Sequence, residues 1–112
     1  MNSMFNGCES LQTLNLNKFN TSNVLNMNLM FINCKSLTTF DLSNFDTSKC
    51  ETFHGMFCNC KSLSELNLCN FRLDSAINLT YMFEGCTNLK RLDISNFDID
   101  MNVNVTDIFE GC

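Results

Sequence analysis

The sequence predicts a solenoid that carries a short parallel β-sheet on one face and turns with short helical or 3₁₀ segments on the return arm. A phrase beginning Met-Phe starts at residues 4, 30, 56 and 82, and a related phrase starts at Ile108. These starts are 26 residues apart, and apolar residues take the same places in each copy. A fixed period of this length is typical of stacked repeats, so we expect one coil per copy.

The repeats place the whole chain in a single domain. The copies cover residues 4–29, 30–55, 56–81 and 82–107, and residues 108–112 begin a fifth. A chain of 112 residues is long enough for one domain at most. Arrays of this kind usually end in polar capping repeats, which neither end resembles. We therefore expect a segment of a longer protein.

Each copy is predicted to hold one strand in the segment L-x-x-L-x-L-x-x-F. In the second copy its apolar residues are Leu37, Phe40, Leu42 and Phe45. The central part alternates apolar and polar residues, as expected for a strand with one buried face. A single strand of this length cannot bury that face alone, so neighbouring copies should stack about 4.8 Å apart into a parallel sheet.

A polar turn and a return arm follow each strand. The return arms are expected to bury Met27, Phe53, Leu79 and Val105. The segment M-F-x-x-C is predicted to form one helical or 3₁₀ turn. Gly or Asn precedes each cysteine of this segment, and both residues tolerate a left-handed backbone, so the turn should end there.

Composition excludes several classes of partner. The net charge is −5 and the basic residues are scattered, whereas a nucleic-acid surface needs clustered Lys and Arg. No apolar run reaches the roughly 18 residues that span a bilayer. The first ten residues lack the basic and apolar regions of a signal peptide. We expect no nucleic acid and no direct membrane insertion.

Five of the eight cysteines share one place in the repeat. We expect this cysteine column to be structural, because a free Cys packs as a small hydrophobe. Disulfides between neighbouring coils are the alternative, although parallel stacked side chains would strain such a bridge. The redox state of the cysteines stays open. The cysteine column consists of Cys8, Cys34, Cys60, Cys86 and Cys112.

The remaining cysteines raise the question of metal or thiol chemistry. Cys50, His54, Cys58 and Cys60 give the spacing C-x3-H-x3-C-x-C. Zinc needs four converging ligands, and this spacing differs from paired C-x2-C motifs. A Cys50–His54 nucleophile pair has no visible orienting group or oxyanion site. We expect no metal, no cofactor and no catalytic residue, with His54 in an exposed loop.

The outward positions of the predicted strands form three polar columns. They are either a solvated surface or a binding surface, since repeat proteins often bind through an extended face. Calcium is a weaker alternative, because Asp41 and Asp93 lie two coils apart, about 10 Å, too far to share one ion. The candidate binding face comprises Thr13, Asn15, Asn17, Thr39, Asp41, Ser43, Glu65, Asn67, Arg91, Asp93 and Ser95.

Three Asn-x-Ser/Thr sequences, at Asn20, Asn78 and Asn104, match the acceptor pattern for N-glycosylation. They matter only if the protein passes through a glycosylating secretory route. The sequence leaves their modification open.

The phrase M-F-x-G-C-x-S-L-x-x-L-D-L-S-N-F-D-T-S resembles the repeat of BspA-like leucine-rich-repeat surface proteins. The resemblance covers residues 4–112, and the second copy carries nearly every element of it. The third copy departs at Cys58, Cys69 and Arg72, and the fourth departs in its return arm. The resemblance implies a leucine-rich-repeat-like solenoid. It also implies adhesion, host-cell contact or other protein binding at a microbial surface, without catalytic residues.

Two functions therefore compete. The first is a non-catalytic protein-binding or adhesion module, at the cell surface or extracellular, whose partner is a protein, host or matrix proteins included. The second is an intracellular, cytoplasmic scaffold that assembles end to end through its open ends. Eight cysteines without a disulfide framework favour the second, and apolar ends favour self-association under either.

Overall fold

The computed structural model describes all 112 residues, and its regular elements are two short strands. Strand β1 spans Glu65–Asn67 and strand β2 spans Arg91–Asp93. They pair in parallel, with Leu66 opposite Leu92. Only 2 of the 53 backbone–backbone hydrogen bonds lie within these strands. The fold is therefore held together mainly outside the sheet.

Residues one repeat apart lie side by side along the return arm. Parallel bridges join Asn26 to Thr52, Thr52 to Asn78, and Asn78 to Asn104. All four residues occupy the same place in their copies. The copies are thus in parallel register along this arm, with the period that the sequence shows.

The M-F-x-x-C segments carry a ladder of backbone hydrogen bonds between copies. For example, the amides of Leu29, Phe31 and Asn33 donate, at 2.8, 2.9 and 2.9 Å, to carbonyl oxygens 25 residues further along the chain, each in the next copy. The amides of Ile32 and Cys34 instead close local turns, each donating to the carbonyl three residues earlier. The return arm, rather than the sheet, therefore provides the continuous backbone pairing.

Two sets of left-handed residues shape this ladder. The first set is the predicted one, in which Asn33 and Asn59 have φ of 61° and 59° and glycine occupies the other three copies. The second set lies four residues earlier and was not predicted, because it includes Leu29 and Tyr81, with φ of 56° and 58°. These residues end each turn after a few positions. The return arm consequently contains turns and no helical or 3₁₀ segment, contrary to expectation.

A ladder of aromatic rings runs through the interior beside this backbone ladder. Phe5, Phe31, Phe57, Phe83 and Phe109 stack with successive centroid distances of 5.5, 5.6, 5.7 and 5.4 Å. Neighbouring rings are within 10° of parallel. The three middle rings are fully buried, so the ladder forms the centre of the core.

The turn of the fourth copy departs from the pattern. Val105, expected to be buried, is 40% exposed, whereas Val103 is buried. The Asp100 carboxylate accepts a hydrogen bond from the Asn102 amide, and the turn closes at Val103, one residue later than the equivalent turn at Ala76. Pairing is in register again at Asn104. A one-residue shift in the turn is therefore absorbed before the return arm.

Stacking predicts that interior aromatic residues stabilise the fold more than residues of the first copy. Phe71 is fully buried between neighbouring copies, whereas the equivalent Phe19 is only partly buried. We expect Phe71→Ala to lower the free energy of unfolding by about 3–5 kcal/mol. The matched variant Phe19→Ala should cost clearly less. Urea unfolding of both variants checks this, and equal midpoints would contradict the stacked arrangement.

The left-handed backbone at Asn59 predicts a specific pattern of substitution. Asn59→Ala should lower the free energy of unfolding by about 1–2 kcal/mol, because a Cβ disfavours this conformation and Asn tolerates it better than Ala. Asn59→Gly should be close to neutral, since Gly holds the same place in three other copies. Thermal unfolding compares the two, and an equal loss for both would contradict the role of backbone conformation.

Candidate binding face

All eleven residues of the candidate binding face are exposed. Glu65, Asn67, Arg91 and Asp93 project from β1 and β2. The seven others lie on irregular backbone, because the first two copies form no strand and the remaining fourth-copy residue follows β2. The period-two pattern thus identified the outward side chains correctly, although it predicted strands in four copies and the structure has them in two.

One column of the face, formed by Asn15, Asp41, Asn67 and Asp93, is fixed by local hydrogen bonds. Asp41 Oδ1 accepts the Ser43 amide at 3.0 Å and the Ser43 hydroxyl at 2.6 Å. Asp93 Oδ1 accepts the Ser95 amide at 3.0 Å, and Asn67 holds the Cys69 amide in the same way. These are Asx turns, in which a side chain bonds backbone two residues ahead. They hold the polar side chains in one arrangement before any partner arrives.

The same hydrogen bonds set the charge of the face. They lower the pKa of Asp41 and Asp93 below the usual value for an aspartate, since the bonds favour the charged carboxylate. Both carboxylates are therefore ionised at neutral pH. Beside them Arg91 forms an ion pair with Glu65 that joins β2 to β1. Both partners are largely exposed, so this pair adds little stability.

A shallow cavity of about 620 Å³ lies across the centre of the face. Its apolar lining comes from Phe40, Leu66 and Leu92, the inward residues of three successive copies. Its polar lining includes Thr39 and Asn67 of the candidate face. The face is therefore concave at this point and offers apolar contact below polar side chains.

A column of asparagines at the end of the strands was missed by sequence reasoning. Asn70 Nδ2 donates to the carbonyls of Leu42 and Phe45 in the preceding copy, both at 2.9 Å. Asn44 and Asn96 bond the copies before them in the same way. The recurring Asn-Phe pair was the available signal. These asparagines satisfy turn carbonyls and tie one copy to the next, so their role is structural.

Cysteines of the repeat column bond the backbone. The Sγ atoms of Cys34, Cys60 and Cys86 lie 3.1, 3.3 and 3.2 Å from the Phe carbonyl oxygen of the preceding copy and donate to it. All three side chains are buried, Cys8 is partly buried and Cys112 is exposed. Burial raises the pKa of Cys34 to about 11 and of Cys86 to about 12. The buried thiols are consequently neutral and poor nucleophiles.

Cys50, His54 and Cys58 each have a different hydrogen-bond partner. The Cys50 thiol lies 3.5 Å from the Thr52 carbonyl, and the Cys58 thiol donates to Glu84 at 3.4 Å. His54 Nδ1 lies 2.6 Å from Thr80 Oγ1. In the whole chain no three His, Cys, Asp or Glu side chains form a group that could hold a metal ion.

His54 is partly buried, which corrects the expectation of an exposed loop residue. Its ring also lies edge-on to Tyr81, with centroids 5.7 Å apart. The Thr80 hydroxyl donates to Asn78 Oδ1 at 2.8 Å, so its oxygen accepts from His54 Nδ1–H. His54 therefore links the return arms of the second and third copies.

The three Asn-x-Ser/Thr sequences all form Asx turns. Asn20, Asn78 and Asn104 each accept, through Oδ1, the amide and the hydroxyl of the residue two places ahead. Asn20 and Asn104 are exposed, whereas Asn78 is partly buried. Their side chains thus form the same kind of local turn as Asp41, Asn67 and Asp93, at other places in the repeat.

Lowered aspartate pKa values predict a loss of stability in acid. A carboxylate whose pKa is lower in the folded state stabilises the fold above its unfolded-state pKa, near 3.9, and this contribution disappears as the pH falls through the folded-state value. We expect the double variant Asp41→Asn/Asp93→Asn to lose less stability between about pH 4 and pH 2 than the parent protein. Asn keeps the Asx turn, as Asn67 shows, but does not titrate.

Urea unfolding across this pH range measures the difference in slope. Identical pH dependence in the parent and the double variant would contradict the assigned role of these two turns.

Comparison with protein families gives a match over the whole chain. The family model described as "Mycoplasma protein of unknown function, DUF285" matches residues 1–112. No curated protein and no solved structure gives a significant match. The structure contains no helix that is long and apolar enough to cross a membrane.

Proposed function

The chain belongs over its whole length to the DUF285 family of Mycoplasma proteins of unknown function, and from this premise we propose that it is a non-catalytic module that binds another protein. The proposal includes a leucine-rich-repeat-like solenoid, as the resemblance to BspA-like repeats implies. It also includes a place at the microbial cell surface, where the module would adhere to a host or matrix protein.

The observation that carries this proposal is the fixed polar face. Its side chains are exposed in every copy, and Asx turns already hold the side chains of Asp41, Asn67 and Asp93 in position. Binding a partner would therefore cost little additional side-chain ordering, which is a main expense of association. Repeat proteins commonly use such an extended face for binding.

Charge supports a protein partner over a nucleic acid. The chain carries −5 overall, and on the face Arg91 is opposed by Asp41, Glu65 and Asp93. A polyanion would meet repulsion here, since nucleic-acid binding depends on clustered basic residues. A polar protein surface would instead find carboxylates, hydroxyls and amides beside the apolar lining of the cavity.

The test compares two double variants with the same change in charge. Thr13→Arg/Thr39→Arg alters the exposed face, and Asn6→Arg/Leu25→Arg alters exposed positions of the return arm. Each protein is titrated onto coated fibronectin, laminin and collagen and onto cultured host cells. We expect saturable binding that falls at least about tenfold in the face variant and less than about twofold in the control.

Equal loss in both variants would overturn the assignment to the face, and no saturable binding to any of these targets would overturn matrix or host adhesion. The alternative function, an intracellular scaffold that assembles end to end, remains a prediction. Fractionation of the native organism would decide the compartment.

A further inference from the structure

The sheet is interrupted on both sides of the second copy. Strand β1 pairs with β2, but no backbone hydrogen bond joins residues 38–42 to residues 64–68. Between the first and second copies, a single bond at this level links the Thr38 amide to the Gln12 carbonyl at 3.3 Å. The same copies are fully paired along the return arm. Whatever prevents strand pairing therefore belongs to the second copy and acts only on the sheet side.

The second copy differs at the central inward position of its strand segment. It has Phe40, where the other copies have Leu14, Leu66 and Leu92. The Phe40 ring packs edge-on against Phe31, with centroids 4.6 Å apart, and against Phe57 of the next copy at 5.5 Å. A close-packed interior accommodates such extra volume by shifting the side chains and the backbone around it.

We propose that Phe40 is a wedge that holds the second copy's strand segment away from its neighbours and thereby opens the cavity of the candidate binding face. Thr39 and Phe40 line one side of the cavity, and its other lining residues belong to the third and fourth copies. Other contacts bracket the opening, since the Ser62 amide reaches the Lys35 carbonyl at 3.1 Å and Asn70 reaches the Leu42 carbonyl at 2.9 Å. The separation is therefore local and does not divide the core.

The wedge leaves particular peptide groups without a partner from the second copy. In a strand that lies between two parallel neighbours, alternate residues bond one neighbour and the residues between them bond the other. The Leu68 amide bonds Asp93 of β2 at 2.8 Å, so Glu65 and Asn67 are directed toward the second copy. Their amides donate to no residue of that copy. These amides add hydrogen-bond donors to the cavity. The wedge determines the shape of the cavity whichever partner binds there.

Amide hydrogen exchange in Phe40→Leu tests the wedge. The variant gives the second copy the residue that the other copies have, so we expect residues 38–42 and 64–68 to pair. Exchange at the Glu65 and Asn67 amides should slow about tenfold, since each gains a backbone hydrogen bond. The return-arm amides of Phe31 and Phe57, already bonded at 2.9 Å, serve as the reference. Unchanged rates at Glu65 and Asn67 relative to this reference would overturn the proposal.

The converse variant, Leu66→Phe, moves the same ring into the third copy. We expect the Leu68 amide to exchange about tenfold faster, because its bond to Asp93 should be lost while the return-arm reference stays protected. A folded Leu66→Phe protein with a protected Leu68 amide would show that a ring at this place does not prevent pairing. If Leu66→Phe fails to fold, the Phe40→Leu measurement decides alone.

Discussion

Backbone pairing along the return arm is the constraint on which the rest of the structure depends. Alternate amides of each M-F-x-x-C segment donate to the next copy, and the remaining amides close turns within their own. This division of partners needs two left-handed residues per copy, as at Leu29 and Asn33. Once it is established, residues one repeat apart are brought into line, and the aromatic ladder follows from the same alignment.

Side chains extend this pairing to places that the backbone leaves open. Cys60 donates to a carbonyl of the preceding copy, and Asn70 does so at the end of the strand. Thr47, fully buried, both donates to and accepts from the backbone of Arg72 in the following copy. Buried peptide groups need such partners. The recurring polar residues are therefore explained by the carbonyls and amides that they satisfy, as well as by the solvent that some of them face.

The sequence was informative where a residue type limits the backbone or alternates with a clear period. Gly or Asn before each cysteine predicted the left-handed position at Asn33, and alternation predicted which side of Leu66 is buried. Leu29 and Tyr81 gave no such signal, because neither side chain favours a left-handed backbone, and the helical segments were wrongly predicted for that reason. The alternating pattern gave no sign that the second copy lacks a strand, since Phe40 is as apolar as the leucines at the same place in the other copies.

For the candidate site, exposure was predictable but interactions were not. Asp41 and Ser43 were recognised as outward polar residues, and their mutual bonds followed only from the folded geometry. His54 was misjudged because the same place in the other copies holds the polar residues Asn28, Thr80 and Thr106, which suggested a solvated position. In the structure Thr80 lies within hydrogen-bond distance of His54.

The fourth-copy turn has a consequence for how such arrays diversify. There the turn closes one residue late at Val103, and register is recovered at Asn104. Insertions, deletions and unusual residues should therefore accumulate between the strand and the return arm, where the turn tolerates a shift of one residue. The M-F-x-x-C segment tolerates no such shift, because a change of one residue would exchange the amides that donate to the next copy for those that close local turns. Variation among such repeats should accordingly concentrate in this turn, leaving the M-F-x-x-C edge nearly uniform.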